Sequence, residues 1–302
     1  MSGADRGGDG RRGGDGRRAA DRGTPEPRFP IRLVALDIDG TLVGDDLALR
    51  DRTHAAIAAA IRRGVSVSLA TGRMASSALT FATALGLREP IVAYQGALIR
   101  AMPAPGDHRV GRLLVHTPLS AAVAREAVDW SRAHGLEPHL NHLERFIIRD
   151  DDPKADDYSK FLGARAELVP SLRAAIIKPV SKVIAVGDEQ ATLDAFQEAR
   201  IRFAGRADVT ISHPRFLEFL APGVSKGRAV RWLARRSGIP MGQVMAIGDQ
   251  HNDIEMISAA GHGVAMPSAP ADVIRVARYV APPIEAEGAA QMIERLVLGR
   301  RR

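Results

Sequence analysis

The strongest constraint on the fold is the apolar run Leu33-Val34-Ala35-Leu36, which stops at Asp37-Ile38-Asp39-Gly40-Thr41. A short apolar run bounded by a polar loop predicts a strand buried on both faces, and such strands belong to parallel sheets. In open α/β sheets, ligands bind beyond the carboxyl ends of the strands. Asp37 and Asp39 are therefore expected to project together into a crevice. A carboxylate there can attack phosphorus, and a second can serve as general acid and then as base. Gly40 lets the backbone approach a phosphate closely, and Thr41 begins the turn away. The pattern D-x-D-G also occurs in turns and calcium loops. An EF-hand, however, needs a glutamate at its twelfth position, and counted from Asp37 that position is Ala48.

Three later segments supply complementary chemistry. Val65-Ser66-Val67-Ser68-Leu69-Ala70 alternates like a half-buried strand and ends in Thr71-Gly72-Arg73. A hydroxyl and a free backbone N–H at a strand end can hold a phosphoryl oxygen. Gly223-Val224-Ser225-Lys226-Gly227 puts a lysine at an expected helix start, where its charge can offset that of a transferring group. Val244-Met245-Ala246-Ile247 is a further buried-strand run leading into Gly248-Asp249-Gln250-His251-Asn252-Asp253. Two more carboxylates at a strand end can complete a magnesium site, whose ligands are hard oxygens. Asn252 and Glu255, three residues apart, fit a helix cap with its partner.

The order DIDGT, ATGR, GVSKG, GDQHND resembles the haloacid dehalogenase superfamily of phosphotransferases, and Phe216–Gly227 is similar to the stretch before the lysine in its Cof-type, IIB branch. The resemblance implies a Rossmann-like parallel sheet core with an inserted α+β cap of the C2 type. It implies Asp37 as nucleophile and magnesium ligand. Asp39 would be the general acid/base, with its carbonyl on the metal. Thr71, Gly72, Lys226 and Asn252 would hold the phosphoryl group, Asp249 would be a metal ligand, and Asp253 would support the metal shell and orient Lys226. The implied activity is Mg2+-dependent hydrolysis of a small phosphorylated metabolite through an aspartyl-phosphate. A sugar phosphate is the leading substrate and a phosphorylated cofactor such as FMN or pyridoxal phosphate the next. A phosphomutase of the same superfamily is the alternative. One departure stands out: after the strand Ile91–Tyr94 the branch more often shows Asn-Gly-Ala, and this chain has Gln95-Gly96-Ala97.

A rival reading comes from the same residues. Gly223-Val224-Ser225-Lys226-Gly227 fits the G-x-S-x-G elbow of serine α/β-hydrolases, with Asp249 and His262 following in triad order. Pro222 interrupts the strand such an elbow requires, no HGGG-like segment lies upstream, and Asp37, Asp39 and Thr71 would be left unexplained.

Residues 1–28 are rich in Gly, Arg and Asp and lack apolar content. Such a segment cannot bury enough surface to offset its ordering entropy, so a disordered tail is expected. Residues 29–100 and 217–302 alternate strand and helix signals, the rhythm of a parallel sheet. Helices are expected over 51–63, 75–85, 228–236, 253–260 and 284–298. Residues 101–216 read differently, as an α+β insert. It would hold a strand over 112–116 returning from a hairpin begun at Ala97, a helix over 119–133, a hairpin over 137–148, a strand over 183–186, a helix over 190–200 and a strand over 209–212. Placed between the Thr71 and Lys226 motifs, the insert would act as a lid that selects the leaving group.

Within it, His139, His142 and His213 are weighed as ligands and read as ordinary polar groups, because no third ligand follows at clear spacing. Trp130 and Trp232 read as core. Arg73 could meet substrate or form an ion pair, and Glu218 reads as a structural partner. The net charge of +7 raises nucleic-acid binding, but much of the excess lies at the ends, with seven arginines against five acidic residues in 1–28 and Arg300-Arg301-Arg302 at the other end. Aromatic residues are only 4%, too few for stacking platforms, so no nucleic-acid partner is expected. No apolar stretch of about 20 residues exists, so no membrane span is expected. The absence of cysteine excludes disulfides and thiolate sites and fits a cytoplasmic setting.

Overall fold

The computed structural model describes residues 30–107, 109–152 and 165–299; the tail expected over 1–28 lies outside them. From the amino terminus the chain runs β1 (Leu33–Leu36), α1 (Asp51–Arg62), β2 (Ser66–Leu69), α2 (Ala75–Ala84), β3 (Ile91–Ala93), β4 (Leu98–Arg100), β5 (Leu113–His116) and α3 (Ala121–Ala133). It continues through β6 (Glu137–His142), β7 (Arg145–Arg149), β8 (Ala166–Val169), α4 (Leu172–Ala175), β9 (Lys182–Val186), α5 (Glu189–Arg202), β10 (Asp208–His213) and β11 (Phe216–Leu220). The last part comprises α6 (Lys226–Arg236), β12 (Val244–Gly248), α7 (Ile254–Ala259), β13 (His262–Ala265), α8 (Ala271–Val276), β14 (Tyr279–Val280) and α9 (Gly288–Leu296).

All four residues of β1 are buried. Val34 and Leu36 enter one apolar cluster with α1 and α9, while Leu33 and Ala35 enter another with α6 and α7, as the two-residue period of a strand demands. β1 lies inside a five-stranded sheet of order β14-β13-β12-β1-β2, parallel throughout. An all-parallel sheet covered by helices on both faces is the α/β arrangement the apolar runs predict. A parallel bridge from Ala70 to Val92 joins β2 to the antiparallel sheet β3-β4-β5.

The second large sheet has the order β10-β11-β9-β6-β7-β8 and is antiparallel except for β7 with β8. Its faces do different work. Val183, Ala185, Leu217 and Phe219 pack with α3 and α5. The alternate residues Ile184, Val186, Phe146 and Ile148 pack against Met74, Tyr94, Leu98 and Val224. This sheet therefore lies with one face on the parallel unit. Its strand β11 is flanked by β10 and β9, so the sheet runs through Leu220, past the expected change at residue 217. The strand over 113–116 pairs with β4, outside this sheet.

Several elements had no sequence signal. β8 is largely exposed and lacks an apolar run, and β14 is two residues long. The closing helix starts at Gly288, because Glu287 has a left-handed backbone that separates it from the 3-10 turn Ile284–Ala286.

Candidate active site

The site begins where β1 ends. Asp37 N donates to Ile247 O at 3.0 Å, carrying the β1–β12 ladder one residue further. The chain then folds back, with the amides of Leu42 and Val43 donating to Ile38 O. Gly40 has φ +74, and a Cβ there would stand 2.3 Å from Asp249 Oδ2. Only glycine meets both demands, the left-handed backbone and the close carboxylate. Thr41, expected merely to begin the turn, donates its hydroxyl to Asp249 Oδ1 at 3.0 Å.

Lys226 lies at the start of α6, capped by Ser225, and has no exposed surface. Its Nζ stands 2.7 Å from Asp37 Oδ1 and 2.7 Å from Asp253 Oδ1. Burial works against its charge, but the two carboxylates outweigh burial and hold it above the ordinary lysine range. Asp253 Oδ2 accepts from the amides of Asp249 and Gln250. The helix-start box is therefore Gln250 with Asp253, two residues before the expected Asn252 with Glu255. The backbone turns into a 3-10 segment at His251, which brings Asp253 rather than Glu255 back to the cap. Glu255 instead meets Ser225 and Arg231.

Asp37, Asp249 and Asp253 each offer an oxygen within 4.8 Å of one another. Burial and the neighbouring carboxylates push Asp37 upward, and burial together with Asp253 pushes Asp249 up to about 7. Mutual repulsion of this kind is what a bound cation relieves, and the donors are the hard oxygens that magnesium takes. Both oxygens of Asp253 are already engaged, so Asp37 and Asp249 are the side chains this geometry leaves for a metal ion.

Asp39 faces Arg73, whose Nε and Nη2 reach its two oxygens at 2.8 and 2.5 Å. The guanidinium is 7% exposed and also donates to Ser77. Of the two expectations for Arg73, the structure shows the ion pair. Thr71 is fully buried at the end of β2, and its hydroxyl accepts from Arg73 N at 3.1 Å. Asp37, Asp39, Gly72 and Asn252 line one cavity of about 60 Å3. The six-stranded sheet forms the opposing wall, through Lys182, Ile184, Phe216 and Glu218, joined by Ser212 and His213.

Of that wall, Glu218 was expected as a structural partner for an amide or cation, as it is; Lys182 was not foreseen, although a signal existed. Lys182 and Glu218 are lone charges inside apolar strands, and buried charges require partners. They find each other at 2.9 Å, and Lys182 Nζ also donates to Gly72 O at 2.8 Å. Gln95 accepts from Asn252 Nδ2 at 2.8 Å and donates to Glu218 Oε2 at 3.2 Å. The extra methylene relative to Asn is thus used to span two partners.

Other candidates separate. His139 Nε2 pairs with Asp152 at 3.1 Å, whereas His142 packs against the His116 ring with centroids 5.8 Å apart. His213 lines the cavity, and burial lowers its pKa. Trp130 lies in the core behind the six-stranded sheet, and Trp232 is partly buried against α6 neighbours. The serine triad does not form. Ser225 Oγ accepts from Arg228 N as a helix cap and donates to Glu255, while the His262 ring lies parallel to Tyr279 and Asp249 holds Thr41. No helix among the described residues is long and apolar enough to cross a membrane.

Paired carboxylates after a parallel strand, an acidic cluster able to hold a cation and a lysine buried at a helix start define the class, and the comparisons agree. The family described as haloacid dehalogenase-like hydrolase matches residues 34–293, and this chain belongs to it. A protein named HMP-PP phosphatase from Cronobacter sakazakii is 32% identical over 244 residues, 79% of this chain and 85% of its own length. A Bacillus subtilis protein named 5-amino-6-(5-phospho-D-ribitylamino)uracil phosphatase is 26% identical, covering 87% of this chain and 96% of its own. A solved haloacid dehalogenase-like hydrolase from Bacteroides thetaiotaomicron superposes with a TM-score of 0.74 at 26% identity, covering 88% of this chain and 99% of its own.

Proposed function

We propose that this chain is a magnesium-dependent phosphatase that hydrolyses a small phosphorylated metabolite through phosphoryl-Asp37. The observation that supports it most is Lys226, wholly buried and 2.7 Å from both Asp37 and Asp253. An ammonium so placed neutralises the nucleophile in the resting state and meets phosphoryl oxygens as they arrive. Magnesium, held by Asp37, Asp249 and the carbonyl of Asp39, would supply further positive charge to the phosphoryl oxygens. Asp37 attacks phosphorus, and the leaving oxygen takes a proton from Asp39 once that carboxyl has turned from Arg73 and become protonated. Asp39 then takes a proton from water as that water attacks phosphorus, which frees inorganic phosphate and Asp37. Thr71, Gly72, Lys226 and Asn252 hold the equatorial oxygens, and such positioning is most of what phosphoryl transfer requires.

Arg73 gives Asp39 a fixed direction. Its bidentate grip occupies both oxygens of the carboxylate, a geometry a lysine could not reproduce, so Asp39 acts as acid only after leaving that pair.

The six-stranded sheet is the cap in this reading. A cavity of about 60 Å3 is far below the roughly 300–1,000 Å3 of small-molecule sites. It admits a phosphoryl-sized group, so a metabolite enters as the cap lifts and turns over as it closes. Residues Lys182, Ser212, His213 and Phe216 would then choose the leaving group. The names of two relatives, HMP-PP phosphatase and 5-amino-6-(5-phospho-D-ribitylamino)uracil phosphatase, support testing such compounds alongside sugar phosphates.

The test is phosphate release from p-nitrophenyl phosphate, with magnesium and with EDTA, for wild type and Asp37→Asn. Release that needs magnesium and vanishes in Asp37→Asn is expected. Release indifferent to both would sink the mechanism.

A further inference from the structure

Gln95 sits in an expensive backbone conformation. Tyr94 and Gln95 have φ of 49 and 58, two successive non-glycine residues in the left-handed region. Asparagine tolerates that region far better than most residues, and glutamine has no such advantage. A strained conformation persists only where its surroundings hold it, and such residues gather at functional sites. The surroundings here are specific. Gln95 is 1% exposed, and its amide lies so near Gly72 that a Cβ there would stand 2.4 Å from Gln95 Nε2.

The hydrogen bonds of this amide run in one direction. Glu218 accepts Gln95 Nε2, Lys182 Nζ and the Ser212 hydroxyl. A carboxylate can only accept, so the nitrogen end of Gln95 must face it. The oxygen end of Gln95 must then face Asn252, which obliges Asn252 to present its own nitrogen, as observed at 2.8 Å. Asn252 is left with one N–H and with Oδ1, a buried oxygen that has no partner among the described residues. Asn252 and Glu218 line the same cavity as Asp37.

We propose that Glu218 and Gln95 are positioning residues that set the polarity of the Asn252 carboxamide in the phosphoryl site, and that they do so only when the six-stranded sheet is docked. The proposal rests on the phosphatase reading above. Glu218 belongs to the cap and Gln95 to the core, so their hydrogen bond exists only in the closed arrangement. Lys182 strengthens the dependence, because it joins Glu218 to Gly72 O across the same boundary. With the cap lifted, Gln95 loses the carboxylate that fixes its amide and both carboxamides turn freely. Closure therefore completes the phosphoryl site from the cap side, without any cap residue having to touch the phosphoryl group.

The experiment is a double-mutant cycle in turnover of p-nitrophenyl phosphate, using Gln95→Met and Glu218→Gln, each alone and each with Asn252→Ala, with Asp37→Asn as the reference for the phosphatase reading. Gln95→Met keeps the length and removes both hydrogen bonds. Glu218→Gln offers one acceptor where two were needed. Each single variant is expected to lower kcat by about tenfold or more, with KM nearly unchanged, as loss of an oriented contact does. In the Asn252→Ala background the same changes are expected to cost less than about twofold, because residues acting through one another are not additive. Gln95→Asn should lower kcat as well while leaving the melting temperature equal or higher, since it relieves the backbone but shortens the reach. Equal losses in both Asn252 backgrounds, or no loss in either single variant, would overturn the proposal. If Gln95→Met fails to fold, the Glu218→Gln cycle decides alone. Turnover that survives Asp37→Asn would bring down the phosphatase reading and this proposal together. Turnover that needs Asp37 but shows additive losses would bring down this proposal only.

Discussion

Among the described residues two lysines are buried, one at each large sheet, and their surroundings differ by one carboxylate. Lys226, at the parallel sheet, stands between Asp37 and Asp253. Lys182, on the six-stranded sheet, has Glu218. Burial disfavours the charge of both. Two carboxylates overcome it and raise Lys226, whereas one does not, and Lys182 is lowered. The parallel half thus keeps a permanent cation where phosphoryl oxygens would arrive. The other half carries a cation of smaller margin, used to fasten the sheet to the Gly72 loop. In the proposed reaction, a buried charge serves chemistry in one region and docking in the other.

The sharpest way to break this comparison is to neutralise each lysine. Lys226→Met should lower kcat on the order of 10²–10³-fold, the scale of losing one preorganised electrostatic contact. It should also cost roughly 3–5 kcal/mol of stability by stranding buried carboxylates. Turnover and urea unfolding read the two separately, and near-normal turnover would detach Lys226 from the chemistry. Lys182→Met should destabilise by a similar mechanism yet reduce turnover less. Adding Glu218→Gln to it should recover much of the lost stability, because no buried charge then lacks a partner. A double variant no more stable than Lys182→Met would show that docking does not rest on that pair.

A third prediction concerns the acidic cluster. Asp249 is pushed from the ordinary 3.8 up to about 7. The stability linked to its proton is complete below about pH 4 and is lost as pH rises through about 7. Magnesium needs the ionised carboxylate, so its increase in melting temperature should be larger at pH 8 than at pH 5, and EDTA should abolish it. An increase independent of pH would place the ion elsewhere. The smallest effect is expected from Ser225→Ala, about 0.5–2 kcal/mol from the lost helix cap, with turnover close to wild type. A collapse of turnover there would revive Ser225 as a chemical group.

Strand-end residues were legible because chemistry and local pattern coincide in them. Leu33–Leu36 could only be a buried strand, so Asp37 had to emerge at its end, and Val244–Ile247 led to Asp249 by the same logic. The Gln250 box was misread by two residues, since sequence spacing does not show whether a helix opens with a 3-10 turn. β11 pairs within the six-stranded sheet although residue 217 was the expected change, because the apolar pattern of Phe216–Leu220 suits either sheet.

By itself, then, the sequence determined that parallel strands end at Asp37 and just before Asp249, because a two-residue period and a polar stop are local properties. Only the tertiary structure decided that Arg73 grips Asp39, that Lys182 meets Glu218, and that Gln95 ties Asn252 to the opposing sheet. Those contacts join residues 34, 36, 157 and 123 positions apart. A buried charge or amide must find a partner, but what it finds is set by how two sheets dock, and no local pattern encodes that.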